Sequence, residues 1–155
     1  MSCTFTHNEE LVLTGSQSGS ICVHLLDSGN FITKLDLHRS MVTQIATDAN
    51  DDVFASCSAD GVVYISSLAD FCTLNQIVLS RPILHMDISL NSTFLMLSCD
   101  DNNIFICALS TGTQIHCIEV GDSLHMARLR LVAARQAVPG LTNSAAHQVA
   151  HRLAC

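Results

Sequence analysis

The chain contains no tryptophan, a single tyrosine and a single lysine in its 155 residues. No apolar run approaches the ~18 residues that a membrane-spanning helix requires, so no span of that kind is expected. The first ten residues, Met1-Ser2-Cys3-Thr4-Phe5-Thr6-His7-Asn8-Glu9-Glu10, hold neither the basic cluster nor the apolar core of a secretory leader, and none is expected. None of the eight cysteines lies in a C-x-x-C pair, which removes the short paired spacing of a structural zinc module. No glycine-rich phosphate-cradling motif is present. Asp48, Asp51 and Asp52 lack the alternating acids, central glycine and closing glutamate of a calcium loop, and are expected to be a solvated loop.

What is present is apolar. The chain is 48% hydrophobic and only 14% charged, which argues against disorder over most of its length. A chain of this size suits one domain that buries roughly 70% of its unfolded surface. Cys22, Cys57, Cys72, Cys99, Cys107 and Cys117 fall in or beside apolar runs, so they read as buried, reduced thiols rather than a disulfide frame. That implies a reducing compartment, the cytoplasm, with the nucleus left open. The sequon Asn91-Ser92-Thr93 then has no route to a glycan. The net charge of −7 gives no reason to expect nucleic-acid affinity. Residues 1–122 hold all fourteen acids and only Lys34, Arg39 and Arg81 as bases, whereas residues 123–155 hold four arginines and no acid. The asymmetry marks a compositional boundary near Gly121.

The dominant signal is a repeat. Leu13-Thr14-Gly15-Ser16-Gln17-Ser18-Gly19-Ser20-Ile21 returns as Ala55-Ser56-Cys57-Ser58-Ala59-Asp60-Gly61-Val62-Val63, and again as Leu97-Ser98-Cys99-Asp100-Asp101-Asn102-Asn103-Ile104. Gly19, Gly61 and Asn102 keep phase at spacings of 42 and 41, and so do Ser28-Gly29, Asp70-Phe71 and Thr111-Gly112. A period of this length means stacked supersecondary units, none able to bury its apolar face alone. Each period holds four short runs of strand character: 2–6, 11–16, 20–26 and 31–37; then 41–47, 53–58, 62–67 and 72–79; then 83–89, 94–99, 103–109 and 113–119. Ala59-Asp60-Gly61 is a tight hairpin signal, because Asp-Gly tolerates positive φ. Val62-Val63-Tyr64-Ile65 is apolar at consecutive positions, as in a strand covered on both faces. After Glu119 the pattern fades. Leu124-His125-Met126 echoes Leu84-His85-Met86 as the start of a degenerate fourth unit, 126–138 reads as a weak helix, and Pro139-Gly140 ends it ahead of an Ala-rich tail.

These landmarks resemble the WD-repeat family of β-propellers over residues 2–120. Leu37-His38 stands where that family has Gly-His, Ala55-Ser56-Cys57-Ser58 where it has Ala-Ser-Gly-Ser, and Asp60-Gly61 at its turn. The signature Trp-Asp is replaced by His24-Leu25, Ser66-Ser67 and Cys107-Ala108. The resemblance implies an all-β partial propeller of about three four-stranded blades, at 1–37, 38–79 and 80–120, followed by a tail at 121–155. It implies a structural blade network of His38, Ser56 and Asp60, with Asp101 kept in the third unit and Ser80 replacing its histidine. It also implies a non-enzymatic interaction scaffold with protein partners, and the composition and motifs above add no expected cofactor, metal, nucleic acid or membrane.

Propellers close with about four to eight blades, so three leave two flanks uncovered. The first expectation is therefore a fragment or alternative product of a longer propeller; the alternative to the scaffold function is a truncated product that acts only through association with that parent. Self-association through the open flanks is the alternative.

His38, Ser56 and Asp60 also have the residue types of a hydrolase triad, but no nucleophile-elbow pattern surrounds Ser56, and the structural role is preferred. His147 and His151 stand four apart with Gln148 in place of a catalytic glutamate, and no third ligand is spaced to join them. Arg39 and Arg81 recur one period apart, after the loop-histidine position. They are candidate contacts for a carboxylate or phosphate on a partner.

Overall fold

The computed structural model describes residues 2–119. They form three four-stranded antiparallel sheets. The first holds β1 (Ser2–Phe5), β2 (Leu11–Gly15), β3 (Ser20–Leu25) and β4 (Phe31–Asp36). The second holds β5 (Val42–Thr47), β6 (Val53–Ser58), β7 (Val62–Ser67) and β8 (Thr73–Val78). The third holds β9 (Ile83–Ile88), β10 (Phe94–Cys99), β11 (Asn103–Ala108) and β12 (Gln114–Glu119). Within each sheet, spatial order follows chain order, so every connection is a hairpin. The expected strands end within one residue of these. The proposed fourth unit, the helix at 126–138 and the His147/His151 pair lie outside the described residues.

The turns explain the period. Among the described residues, nine have left-handed φ, three per sheet, and they recur in phase. Gly19, Gly61 and Asn102, at +93°, +80° and +61°, close the hairpins between the second and third strands of each sheet. Gly29, Phe71 and Gly112, at +68°, +59° and +69°, close the next hairpins. Glu9, Asp51 and Ser92, at +58°, +57° and +53°, close the first. This last set carries no glycine, and no residue type along the chain marks it.

The sheets stack face to face, with β5 against both β1 and β9. One apolar layer joins Leu13, Ile21 and Val23 of the first sheet to Val42, Ile45 and Phe54 of the second. Another joins Ala55, Cys57, Val63, Ile65 and Ile77 of the second to Ile83, Met86, Leu95, Leu97, Phe105 and Cys107 of the third. Strand period two sends Phe54 and Ser56 to one layer and Ala55 and Cys57 to the other, so both faces of the middle sheet are buried. Fully burying a side chain such as Phe54 or Leu97 contributes about 1.5–3 kcal/mol. The thiols are part of these layers: burial pushes Cys57 and Cys99 up to about 11 and raises Cys107, so all three stay protonated and pack as small hydrophobes.

Candidate functional site

His38 lies on the connection from β4 to β5, wedged between the first two sheets. Its backbone N–H donates to the Gly19 carbonyl at 3.1 Å, which ties it to the hairpin of the preceding sheet. Its Nε2 lies 2.8 Å from Ser56 Oγ on β6, and its ring meets Tyr64 of β7 edge to face at 5.0 Å. Ser56 and Tyr64 are cross-strand partners, so the β6–β7 register brings both to the ring. Nδ1 is 3.6 Å from Asp60 Oδ1, beyond hydrogen-bond reach but close enough for electrostatic attraction.

Asp60 is the hub of the hairpin. Its Oδ2 accepts the Arg39 backbone N–H at 2.8 Å, its Oδ1 accepts that of Val62 at 3.0 Å, and its own N–H donates to Ser58 Oγ at 3.1 Å. Burial pushes its carboxyl up, but the two backbone N–H donors and the His38 ring prevail and hold it below the usual carboxylate range. Burial also dominates at His38. It lowers the imidazole's pKa against the opposing pull of Asp60, so the ring is neutral near pH 7. The neighbours favour the tautomer with Nδ1–H toward Asp60 and Nε2 accepting the Ser56 hydroxyl.

Serine, histidine and aspartate thus stand in triad order, and Ser56 is fully buried at 0% exposure. The arrangement fastens the loop at 37–41 to the hairpin at 59–61.

The third sheet solves the same problem differently. Ser80, at the histidine position, is exposed, and buried Leu97 and Phe105 stand where the second sheet has Ser56 and Tyr64. Arg81 takes over: its guanidinium pairs with Asp101 and lies over the Phe105 ring, 5.9 Å from the centroid. Asp101 still accepts the Asn103 N–H at 3.3 Å, as Asp60 accepts that of Val62. Arg39 and Arg81 therefore differ. Arg39 is exposed and its guanidinium has no ion pair among the described residues, whereas Arg81 is engaged within its own sheet.

The three positions of the missing tryptophan also differ. His24 is half-buried, edge to face with Phe31 at 5.7 Å, while Ser66 and Cys107 are fully buried. Ser66 Oγ has no hydrogen-bond partner.

The acidic loop departs from the solvated loop expected of it. Asp48 is 2% exposed. Its Oδ1 accepts the Asp52 and Val53 N–H groups at 2.8 and 3.0 Å, and its Oδ2 accepts the Ser92 hydroxyl of the third sheet at 3.0 Å. Thr6 and Ser89, one period away on either side, are buried and cap their own hairpins through Leu11 N–H and Phe94 N–H. Asp51 reaches the other way and accepts the His7 and Asn8 N–H groups at 2.8 and 2.7 Å. Alignment of position 48 with Thr6 and Ser89 was the available signal. Among the described residues, no group of three or more His, Cys, Asp or Glu side chains is placed to hold a metal ion.

Solved propellers share this architecture. The β-propeller domain of Myceliophteria thermophila Cps50 (Swd1) superposes with a TM-score of 0.71 at 12% identity, covering 76% of this chain and 38% of that one. The computationally designed Ika8 protein superposes at 0.69 and 20% identity, covering 76% and 36%. Both likenesses concern the fold. A curated relative, U3 small nucleolar RNA-associated protein 21 of Saccharomyces cerevisiae, is 32% identical over 92 residues, which are 59% of this chain and 10% of that protein. The chain thus spans about a tenth of that relative's length. Residues 1–119 match the family model of the Vps42 beta-propeller. With three in-phase four-stranded blades behind that match, the chain belongs to the Vps42 beta-propeller family of WD-repeat propellers.

Proposed function

We propose that this chain is a protein-interaction scaffold, a rigid stack of blades that displays the loops between blades to a protein partner. Propellers of this class are typically non-enzymatic scaffolds, which gives the coarse assignment. The observation that carries the finer one is Arg39. Its backbone is fixed by Asp60, its neighbour His38 is locked under Ser56, and its guanidinium is exposed and without an ion pair among the described residues. A cation on a fixed loop adds no backbone ordering to the cost of binding, and a guanidinium matches a carboxylate or phosphate in bidentate geometry. Arg81 is the weaker contact, because Asp101 competes for it.

The test is affinity capture with the 155-residue chain, its Arg39→Glu variant, and Lys34→Glu as a charge-matched control. Partners retained by the wild type and the control but lost by Arg39→Glu support this reading. Identical sets from all three overturn it. A capture that returns only chaperones favours a second reading, a truncated propeller product that acts by joining a longer propeller. The share of the solved propellers covered, 36% and 38%, motivates that alternative. The buried, unpaired thiols of Cys57, Cys99 and Cys107 fit an intracellular, reducing setting, the cytoplasm or the nucleus.

A further inference from the structure

The repeat fixes which residues of one blade touch the next. Ile45, Thr47, Phe54, Ser56 and Ser66 of the second blade face the first, and all but Thr47 are buried. One period later, Met86, Ile88, Leu95, Leu97 and Cys107 of the third blade are buried against the second. One period earlier, the same positions are Cys3, Phe5, Val12, Thr14 and His24 of the first blade, by strand register. Here the burial is missing: Phe5 is 57% exposed, Phe31 beside His24 is 59% exposed, and Cys3 is exposed.

The complementary face shows the same loss at the other end. Ala55, Val63, Ile65 and Ile77 of the second blade are buried beneath the third. Their counterparts in the third blade are Met96, Ile104, Ile106 and Ile118, which form an apolar strip across β10, β11 and β12 and are only half-buried.

One chain therefore presents both halves of the interface that already joins its own blades. We propose that the occupant of the first blade's flank is the third blade of a second copy, and that two copies associate head to tail through two such contacts. The described blades of two copies number six, within the range of about four to eight in which propellers close. The contact is heterologous in its surfaces, and two copies satisfy it twice, so assembly stops at the pair. Continuity with the two interfaces inside the chain is what favours a second copy over an unrelated partner. This inference rests on the scaffold reading but does not depend on Arg39.

The test is light scattering on the size-fractionated 155-residue chain, together with Phe5→Asp and Ile106→Asp. The expected mass is twice 16.7 kDa for the wild type. Each variant alone should lose most of the dimer at equal concentration, because both contacts of the ring are damaged. An equimolar mixture of the two variants should recover part of the dimer, since one contact of the mixed pair joins two intact flanks while the other holds both substitutions. That recovery would also show that both variants fold. A monomeric wild type overturns the proposal, as does a dimer broken by Phe5→Asp but indifferent to Ile106→Asp, which would mean like-to-like pairing. Partner capture that depends on Arg39 would stand in either case, so the two readings fail separately.

Discussion

Arg81 pairs with Asp101 in the third blade at the place where His38 faces Asp60 in the second. Both contacts hold the turn acid of a hairpin against the connection entering the same blade. The second blade uses a buried imidazole with a serine beneath it. The third uses a surface guanidinium over an aromatic ring, with Leu97 and Phe105 filling the space beneath. The exchange keeps the geometry of the blade and moves the polar group from the interior to the rim.

Ser56→Ala is expected to cost about 1–3 kcal/mol, because it leaves a buried imidazole nitrogen without a partner. Ser66→Ala is expected to be neutral or to stabilise by up to ~1 kcal/mol, because the hydroxyl it removes is buried and unbonded. Urea unfolding of the two variants beside the wild type checks both. Equal losses would mean that the Ser56–His38 bond contributes nothing.

The pH dependence of stability carries a signature of His38. Its folded pKa lies below the unfolded value of 6.5, so the unfolded chain takes up the proton first. The contribution of the neutral ring is complete above about pH 6.5, is lost as pH falls toward the folded value, and levels off below it. Asp60 adds a second loss at lower pH, since its folded pKa lies below 3.8. His38→Gln should flatten the decline that sets in as pH falls through about 6.5 in a series of unfolding curves, while leaving the more acidic loss from Asp60 in place.

Glycine substitutions should separate by position. Gly61 has φ +80°, and a Cβ there would lie 2.3 Å from the Leu79 carbonyl oxygen. Gly29 has φ +68°, and a Cβ there would meet nothing within 4 Å. Gly29→Ala is expected to cost about 1 kcal/mol from backbone strain alone. Gly61→Ala is expected to cost more than ~3 kcal/mol, because the β8–β9 connection must also move. Thermal melts would rank the pair.

Asp51→Ala should release the β1–β2 turn from the second blade. Burial pushes its carboxyl up, but the His7 and Asn8 N–H groups prevail and hold it below the usual range. Two charge-assisted hydrogen bonds at a partly exposed site suggest about 1–2 kcal/mol. Amide hydrogen exchange at His7 and Asn8 should accelerate, with the Gly61 hairpin unchanged. Unaltered exchange at both amides would refute the contact.

The strands were legible because apolar runs of five or six residues sit between turn residues, a pattern local along the chain. Two of the three left-handed turns per blade were legible for the same reason, since Gly19, Gly61, Gly29 and Gly112 stand at them. The third was hidden, because Glu9, Asp51 and Ser92 are held there by hydrogen bonds around the turn and between blades rather than by a permissive backbone. The burial of Asp48 was hidden for a related reason. Acidity alone predicts solvent, and only the folded hairpin shows the backbone donors that surround it.

By itself the sequence determined the period, the strands within it, two of the three hairpin turns in each blade and the class of fold, because all of these arise from short-range patterning of apolar and turn residues. The tertiary structure alone decided which strand face meets which blade, that Ser56 is sealed against His38, and that Arg81 is engaged while Arg39 is exposed. It also decided that the first and third blades keep opposite apolar flanks partly exposed. These depend on residues about 40 positions apart being brought into register by stacking, and no local pattern encodes the side chain that will lie across an interface.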